Sequence, residues 1–299
     1  MISVLIPVYN YNIQPLLRSL ISQFETVNCD WEILLSDDAS TKEVKTQNLN
    51  FIETLNSKQI NLYQQKVNVG NAANRNFLIT KATFDWLLFL DADVLPVNSN
   101  FISNFIKSMQ STSNKIIAGN IIYDTENPLP HLLRWKYGKA KEQKSLKERK
   151  NETILNCRGA NFAIKKALVK KVNFPILQEK YGFVDTRFFL QFNENQIYVL
   201  ENPVYHLGIE ENSIFLNKTK KAIANALFLM NTDKELSTKI SLVSKYKKVR
   251  TLKYFLSKVY LKLHEKIERN LESKKPSVFL FQIYKMLYLS YLDAFKNRQ

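Results

Sequence analysis

Two closely spaced carboxylates, Asp91 and Asp93, are the clearest candidates for chemistry in this sequence. They follow Trp86 to Leu90, an apolar run without alternation that is typical of a strand buried on both faces of an α/β sheet. Residues two apart in an extended chain point to the same side, so both carboxylates can converge on one cation or one polar ligand. Carboxylate oxygens suit Mg²⁺ or Mn²⁺, and such an ion suits a diphosphate. The alternative is a strand-end turn with two solvated aspartates.

The elements that must position these carboxylates are predicted from a repeated order of strand, polar loop and helix. The first predicted strand starts at Ile2 and includes the apolar residues 4–6, and the other predicted strands cover residues 31–35, 60–63 and 86–90. Pro7 cannot extend a central strand, so the first strand is expected to break at Tyr9 and Asn10, before a helix through Leu16 to Phe24. Crossovers of the usual hand place every polar loop on one edge of a parallel sheet. Ligands bind at the carboxyl ends of strands in such sheets, so the site is expected there.

Several motifs occur in a fixed order along the first two thirds of the chain. They read SVLIPVYN, ILLSDDAS, NVGNAANRN and FLDADVLP, followed by NCRGANFAIKKALV, EKYGFVDTRFFLQF and ENPVYHLG. In this order and spacing the motifs resemble the family 2 glycosyltransferases. The resemblance implies a GT-A fold for residues 1–208, an α/β fold with a Rossmann-like, mixed and mainly parallel sheet flanked by helices. Residues 209–299 are then expected to form a basic helical C-terminal extension.

The resemblance also implies a site for a nucleotide-sugar donor. Asp38 would read the edge of the base, as an acceptor for the N3 hydrogen of a uracil, while Asp37 would cap the turn. Arg75 would pair with the diphosphate or orient Asp91, and the alternative is an ordinary arginine on a helix surface. The residues expected to bind the nucleotide sugar are Pro7, Val8, Tyr9, Asn10, Asp38, Gly70, Asn71, Arg75, Asp91 and Ala92.

Metal binding and proton transfer are assigned by the same resemblance. Asp93 is expected to bind Mn²⁺ or Mg²⁺ directly, and Asp91 to contact the ribose or the ion. His206 would complete the metal site, or else be a hydrogen-bonded structural histidine. Asp185 occupies the position of the catalytic base, although Val184 precedes it where this family usually has Glu or Asp. The alternative for Asp185 is the N-cap of a helix over residues 186–192.

Composition limits the class of protein. Hydrophobic residues make up 45% of the 299-residue chain, which excludes general disorder. Cys29 and Cys157 are the only cysteines and are expected to be reduced packing residues, since neither forms a zinc spacing. The sequence shows no charged and apolar leader and no run of 18 apolar residues, which predicts a cytoplasmic protein, with association to the inner face of the cell membrane left open.

Positive charge is concentrated toward the C-terminus. Nineteen of the 43 Lys and Arg, but only eight of the 27 Asp and Glu, lie in residues 209–299. Residues 245–267 predict one basic amphipathic helix, and Val278 to Leu292 an aromatic helix after a break at Lys274-Lys275-Pro276. Such helices either contact an anionic membrane surface or form a cap on the catalytic domain. The lysine-rich tail lacks a recognisable nucleic-acid module, so no nucleic-acid partner is expected.

Residues 124–152 are predicted to be a basic insertion between the donor half and the acceptor half. Apolar periodicity ends after Tyr137, which indicates a loop. The resemblance places this insertion near the acceptor entrance, where it would become ordered when donor binds and where its charge would meet a pyrophosphate-linked lipid or an acidic glycan. A mobile solvated loop is the alternative.

Together these features predict an inverting, metal-dependent glycosyltransferase of the hexosyltransferase type. The donor would be a nucleotide-diphosphate sugar, with a UDP-sugar favoured, and the acceptor a glycan or lipid-linked glycan in bacterial surface polysaccharide synthesis. Two other classes remain open from the sequence. One is a catalytically silent nucleotide-sugar binding protein, and the other a basic nucleic-acid-binding protein.

Overall fold

The structure, a computed structural model, describes residues 1–124, 132–176 and 182–295. Packing divides the chain into two units. The first comprises residues 1–124, 142–176 and 185–208, and the described part of the second comprises residues 132–141, 182–184 and 209–295. The long C-terminal stretch of the second unit begins at Ile209, next to the boundary expected after Gly208. Residues 132–141 and 182–184 also pack with that unit.

One mixed sheet forms the centre of the first unit. Its strands are β1 Ile2–Val8, β2 Trp31–Asp37, β3 Ile60–Gln64, β4 Trp86–Leu90, β5 Val94–Pro96, β6 Ile116–Ile122, β7 Asn161–Lys165 and β8 Ile197–His206. The order across the sheet is β3-β2-β1-β4-β7-β6-β8-β5. Strands β3, β2, β1 and β4 are parallel, β7 is antiparallel to both of its neighbours, β8 is parallel to β6, and β5 is antiparallel to β8. The predicted α/β architecture is therefore confirmed.

Helices cover the sheet and form the second unit. In chain order they are α1 Gln14–Phe24, α2 Lys42–Leu55, α3 Asn71–Lys81, α4 Phe101–Ser111, α5 Leu132–Lys141, α6 Leu146–Asn151, α7 Thr153–Asn156, α8 Lys166–Val169, α9 Val184–Phe189, α10 Asn212–Thr232, α11 Lys234–Lys239, α12 Ser241–Lys247, α13 Lys253–Leu271 and α14 Val278–Phe295. Short 3₁₀ turns span Glu194–Gln196 and Arg250–Leu252. Helices α5 and α10 to α14 belong to the second unit.

Strand β1 passes through Pro7 and ends at Val8, just before the break expected at Tyr9 and Asn10. The N–H of Ile2 bonds toward β2, by donating to the carbonyl of Asp30, and alternation along the strand turns Pro7 toward β4 instead. Pairing with β4 ends at Leu5, so the missing N–H of Pro7 removes no ladder bond. Strand β1 therefore reaches Val8 before the chain turns at Asn10, which has φ 49°.

The expected loop after Tyr137 is wrong, because the described part of the insertion is helical. Helix α6 has a complete capping box, in which Ser145 and Glu148 satisfy each other's backbone N–H groups. Arg149 in α6 is buried, and its guanidinium donates to the backbone carbonyls of Ala118, Gly119 and Leu200. Residues 125–131 of the insertion lie outside the described residues. Sequence periodicity missed α6 because an arginine, not an apolar residue, occupies its inward position.

The basic segment 245–267 is two helices, where one was expected. Helix α12 ends at Lys247 and α13 begins at Lys253, and the turn between them is held by the buried carboxylate of Asp293. This carboxylate accepts from Arg250 Nε at 2.8 Å and from the hydroxyl of Tyr246 at 2.8 Å. No helix among residues 1–124, 132–176 and 182–295 is long and apolar enough to cross a membrane. Cys29 and Cys157 are both free, as expected.

Candidate active site

The aspartates of the DxD segment lie at the carboxyl end of β4. Asp91 follows Leu90 directly, and Asp93 lies just before β5. Strand β5 pairs with the end of β8, in a register that sets Val94 opposite His206. Nε2 of His206 consequently lies 3.7 Å from Oδ2 of Asp93. Pairing of two strands that are distant in sequence therefore brings together two of the residues predicted to bind the metal.

Arg75 connects two of the predicted functional carboxylates. Its side chain is buried in α3, and the guanidinium donates from Nη2 to Asp91 Oδ1 at 2.6 Å and from Nη1 to Asp185 Oδ1 at 2.8 Å. The guanidinium carbon also lies 5.1 Å from the centre of the Phe174 ring. Arg75 is therefore not an ordinary surface arginine. Of its two other expected roles, the structure places it where it orients Asp91.

Negative charge exceeds positive charge in this cluster, because the carboxylates of Asp91 and Asp185 pair with one guanidinium and the charge of Asp93 also acts on Asp91. Burial raises the pKa of Asp91 although Arg75 opposes the rise, and the negative charges of Asp93 and Asp185 raise it further. Burial alone would lower the pKa of Arg75, but Asp91 and Asp185 outweigh that effect and raise it. Arg75 thus stays charged, and the excess of negative charge favours binding of a further cation.

Asp185 lies in the first turn of α9 with both carboxylate oxygens engaged. Oδ1 accepts from Arg75, and Oδ2 accepts from the backbone N–H of Gly159 at 2.9 Å. The N-cap alternative is wrong, because α9 begins at Val184, so that Asp185 lies inside the helix, and its carboxylate accepts from Arg75 and Gly159. About a third of the side chain, 34%, remains exposed. Asp185 is therefore fixed in orientation and still open to an incoming group.

Two glycines allow the chain to approach these carboxylates closely. A Cβ at Gly159 would lie 2.3 Å from Nη1 of Arg75 and 2.5 Å from Oδ1 of Asp185. A Cβ at Gly208 would lie 1.9 Å from Oδ2 of Asp93. Since real Cβ atoms do not make such contacts, a side chain at either position must displace the ion-paired groups.

The predicted base-reading residue, Asp38, anchors the loop before α3. Its side chain is buried, Oδ1 accepts from the N–H of Val69 at 2.7 Å, and Oδ2 accepts from the N–H of Gly70 at 2.9 Å. Gly70 has φ 87°, a conformation that favours glycine, and precedes Asn71, the first residue of α3. Each oxygen of Asp38 keeps a lone pair for a second donor. Asp37 accepts from the N–H of Ser40, which closes the turn as predicted.

The remaining predicted donor residues lie at the carboxyl ends of β1 and β4. Pro7 and Val8 are the last two residues of β1 and are buried, and the carbonyl of Val8 accepts from the N–H of Asp38. Tyr9 is 55% exposed, while Asn10 accepts from the N–H of Thr41 and donates its own N–H to Ser40. Ala92 is buried between the two aspartates. The loop at Tyr9 and Asn10 is thus locked to the loop after β2.

Sequence analysis missed three residues of this region. Tyr11 lies beside the site, where burial and the charge of Asp93 raise the pKa of its hydroxyl. Gly159 and Gly208 were contained in the quoted motifs, but neither was assigned a role. Tyr11 directly follows the loop residues Tyr9 and Asn10, and this adjacency was the available signal.

Protein groups supply only part of the coordination that a divalent ion would need at this site. Among the described residues, no three or more His, Cys, Asp or Glu are grouped so as to hold an ion. Asp93 and His206 form a pair, and Nδ1 of His206 is buried without a hydrogen-bond partner in the described chain. Two protein ligands leave coordination positions that diphosphate oxygens suit, as Mg²⁺ sites with substrate phosphates commonly do. The residues present therefore fit an ion that binds together with a nucleotide.

Removing the charge of Arg75 tests how far it stabilises the cluster. Arg75→Met leaves two carboxylates in the cluster without a cation, so the free energy of unfolding should fall by about 3–5 kcal/mol at neutral pH. Arg18→Met is the matched control, because exposed Arg18 also stacks on a phenylalanine, with its guanidinium carbon 4.8 Å from the Phe51 ring centre. Chemical denaturation measures both variants. Equal, small losses would contradict the bridging role of Arg75.

Similarity to known proteins identifies the family of this chain. The family model described as Glycosyl transferase family 2 matches residues 3–172, more than half of the chain. This chain belongs to glycosyltransferase family 2. An uncharacterized glycosyltransferase from Haemophilus influenzae is 35% identical to this family 2 chain over 108 residues. The match covers 35% of the present chain and spans 38% of that relative's length.

Solved structures share the fold of this family 2 chain. The mannosyltransferase PcManGT from Pyrobaculum calidifontis, in complex with GDP-Man and Mn²⁺, superposes with a TM-score of 0.60 at 13% identity, over 99% of the present chain and 87% of that one. S. aureus TarS 1-349 with UDP-GlcNAc gives 0.52 at 18% identity, over 100% and 92%. Glucosyl-3-phosphoglycerate synthase from Mycobacterium tuberculosis, in complex with Mn²⁺, UDP-Glc and glycerol 3-phosphate, gives 0.50 at 12% identity, over 77% and 79%. The predicted GT-A fold is confirmed by these similarities.

Proposed function

We propose that this chain is an inverting, metal-dependent glycosyltransferase of the hexosyltransferase type. It transfers a sugar from a nucleotide-diphosphate sugar, preferably a UDP-sugar, to a glycan or lipid-linked glycan in bacterial surface polysaccharide synthesis in the cytoplasm. One observation carries the proposal. Arg75 joins Asp185 to Asp91, next to Asp93 and His206, so an acid–base group and an ion-binding pair share one sheet edge.

Each group has a part in the proposed transfer. Asp185 takes the proton of the acceptor hydroxyl, while the hydroxyl oxygen forms a bond to the anomeric carbon of the sugar. The bond between that carbon and the diphosphate oxygen breaks, and the nucleoside diphosphate leaves with the electron pair. Inversion follows because the acceptor attacks from the side opposite to the leaving group. When bound by Asp93 and His206, a divalent ion neutralises charge on the diphosphate.

Arg75 holds Asp185, the acid–base group, and Asp91, which is expected to contact the donor, in fixed relative positions. Its two hydrogen bonds hold Asp185 and Asp91 on one rigid planar fork, and Gly159 fixes the other oxygen of Asp185. Positioning of this kind supports catalysis because the reacting oxygen must be aligned with the anomeric carbon.

Donor identity is tested by a screen of nucleotide sugars. The released nucleoside diphosphate is measured for UDP-hexoses, UDP-N-acetylhexosamines and GDP-mannose in the presence of Mn²⁺, with Asp185→Asn as the inactive control. We expect turnover of a UDP-sugar. We also expect UDP to bind more tightly than CDP, because Asp38 can accept from the N3 hydrogen that cytosine lacks. Binding of nucleotides without turnover of any donor would instead support a catalytically silent nucleotide-sugar binding protein.

His206 provides a separate test of the metal site. His206→Ala should raise the Mn²⁺ concentration needed for half-maximal activity by roughly tenfold or more, as expected when a site loses a ligand or a supporting group. Thermal stability without metal should change little, because Nδ1 of His206 has no hydrogen-bond partner in the described chain. An unchanged Mn²⁺ requirement, or a large loss of metal-free stability, would return His206 to a structural role.

A further inference from the structure

The outward face of α13 carries apolar side chains that no other part of the second unit covers. Tyr254 is 50% exposed, Phe255 65% and Leu261 51%, and Leu252 in the preceding turn is 54% exposed. These four residues, called here the α13 apolar patch, lie outside the stripe formed by buried Ser257, Tyr260 and Ile267, and Tyr254 and Leu261, seven residues apart, share one side of the helix. Single exposed apolar residues are common, but a cluster of them at the start of one helix is a candidate contact surface.

The apolar stripe predicted from the sequence lies on the other side of this helix. Ile267 is buried in the helical core of the second unit, and Leu256 and Val259 pack against that core. The stripe therefore packs into the helical core of the second unit. Leu252 was expected in that stripe but is exposed, and the other residues of the α13 apolar patch were not part of it, so core packing does not account for the patch.

Lysines surround the patch and are available to an external anion. Lys248, Lys258, Lys262 and Lys266 are all exposed, and none of them forms an ion pair within the described residues. Lys253 and Arg250 differ, because both contact the buried carboxylate of Asp293. Glu265 is the one acidic residue between Lys258 and Lys266. The face is therefore both apolar and strongly basic.

We infer that the α13 apolar patch and its lysines dock on an anionic membrane surface. Aromatic and aliphatic side chains enter the boundary between headgroups and acyl chains, while lysines on the same face pair with lipid phosphates. Charge complementarity favours this occupant over an apolar protein groove, since the unpaired Lys258, Lys262 and Lys266 of the same helix would lose hydration without gaining partners there. The contact is peripheral, because no described helix is apolar enough to span a bilayer.

Vesicle co-sedimentation of the full chain tests this inference. Wild-type protein should bind vesicles of mixed phosphatidylglycerol and phosphatidylcholine at low salt, should bind pure phosphatidylcholine much more weakly, and should be released as salt rises. Removing two charges with Lys258→Gln and Lys262→Gln should lower the partition coefficient at least about tenfold. Replacing the two aromatic residues with Tyr254→Ser and Phe255→Ser should lower it by about tenfold or more.

Matched controls separate the patch from general charge and hydrophobicity. Lys107→Gln with Lys115→Gln removes the same number of exposed lysines from the first unit, and Tyr198→Ser removes a tyrosine of β8 that is 41% exposed. These controls should leave vesicle binding unchanged, and thermal melting should show that every variant is folded. The inference is overturned if wild-type protein ignores anionic vesicles, or if patch variants and controls bind alike. It is also overturned if the patch instead mediates self-association in sedimentation, without binding vesicles.

Discussion

Asp185→Asn is expected to reduce the rate of sugar transfer by roughly two to four orders of magnitude, with little change in donor affinity. Asparagine has nearly the same shape, and its one amide oxygen can still accept from either Arg75 or the N–H of Gly159, but it cannot take the acceptor proton. The pattern should therefore be a loss in kcat with a nearly constant affinity for the nucleotide. Single-turnover transfer rates and nucleotide titrations measure the two quantities separately.

Asp85→Asn provides the matched control for this variant. Asp85 is exposed and directly precedes β4, at the end of the strand opposite to Asp91, so the same substitution there leaves the site intact. We expect wild-type rates from it. If Asp185→Asn retains most of the wild-type rate, the carboxylate has a positioning role only and another group must accept the proton.

Asp93→Ala is expected to abolish transfer and to remove the metal-dependent part of nucleotide affinity. The side chain is 27% exposed, and the backbone carbonyl of Asp93 still accepts from the N–H of Leu207, so the fold should persist. The loss follows because a divalent ion would then keep one protein ligand where it had two. Nucleotide affinity with and without Mn²⁺, together with the transfer rate, measures the effect.

Asp30→Ala controls for the loss of one exposed aspartate. Asp30 precedes β2, and its contact with the N–H of Ile2 uses its backbone carbonyl, which alanine keeps. This variant should bind nucleotide with the same Mn²⁺ dependence as the wild type. A full Mn²⁺ effect on nucleotide affinity in Asp93→Ala would show that the ion is held elsewhere.

Local sequence patterns were sufficient to predict the donor half of the sheet. Strand β4 has the predicted bounds, because five consecutive apolar residues fit a strand buried on both faces. Strand β1 ends at Val8, just before the predicted break at Tyr9 and Asn10, although it contains Pro7, because the effect of Pro7 depends on which neighbour its missing N–H faces. That property belongs to the register of the sheet and cannot be read from the strand itself.

Long-range contacts explain what the sequence could not predict in the site. The contact of Arg75 with Asp185 spans 110 positions of sequence and was not predicted. The family resemblance grouped His206 with Asp93, but the contact itself depends on the pairing of β5 with the end of β8, which no local pattern indicates. The C-terminal helices show the same limit of prediction from local sequence. Their apolar stripe was recognised, but the break between α12 and α13 depends on the buried carboxylate of Asp293, more than forty residues away.

The release of nucleoside diphosphate from the best donor, measured with acceptor in Mn²⁺ and again in excess chelator, tests the central claim most directly. That claim is that Asp93 and His206 bind a divalent ion with the nucleotide while Asp185 activates the acceptor. We predict turnover in Mn²⁺, its loss in chelator and its recovery when Mn²⁺ is restored. Full turnover in excess chelator would contradict the metal-dependent account.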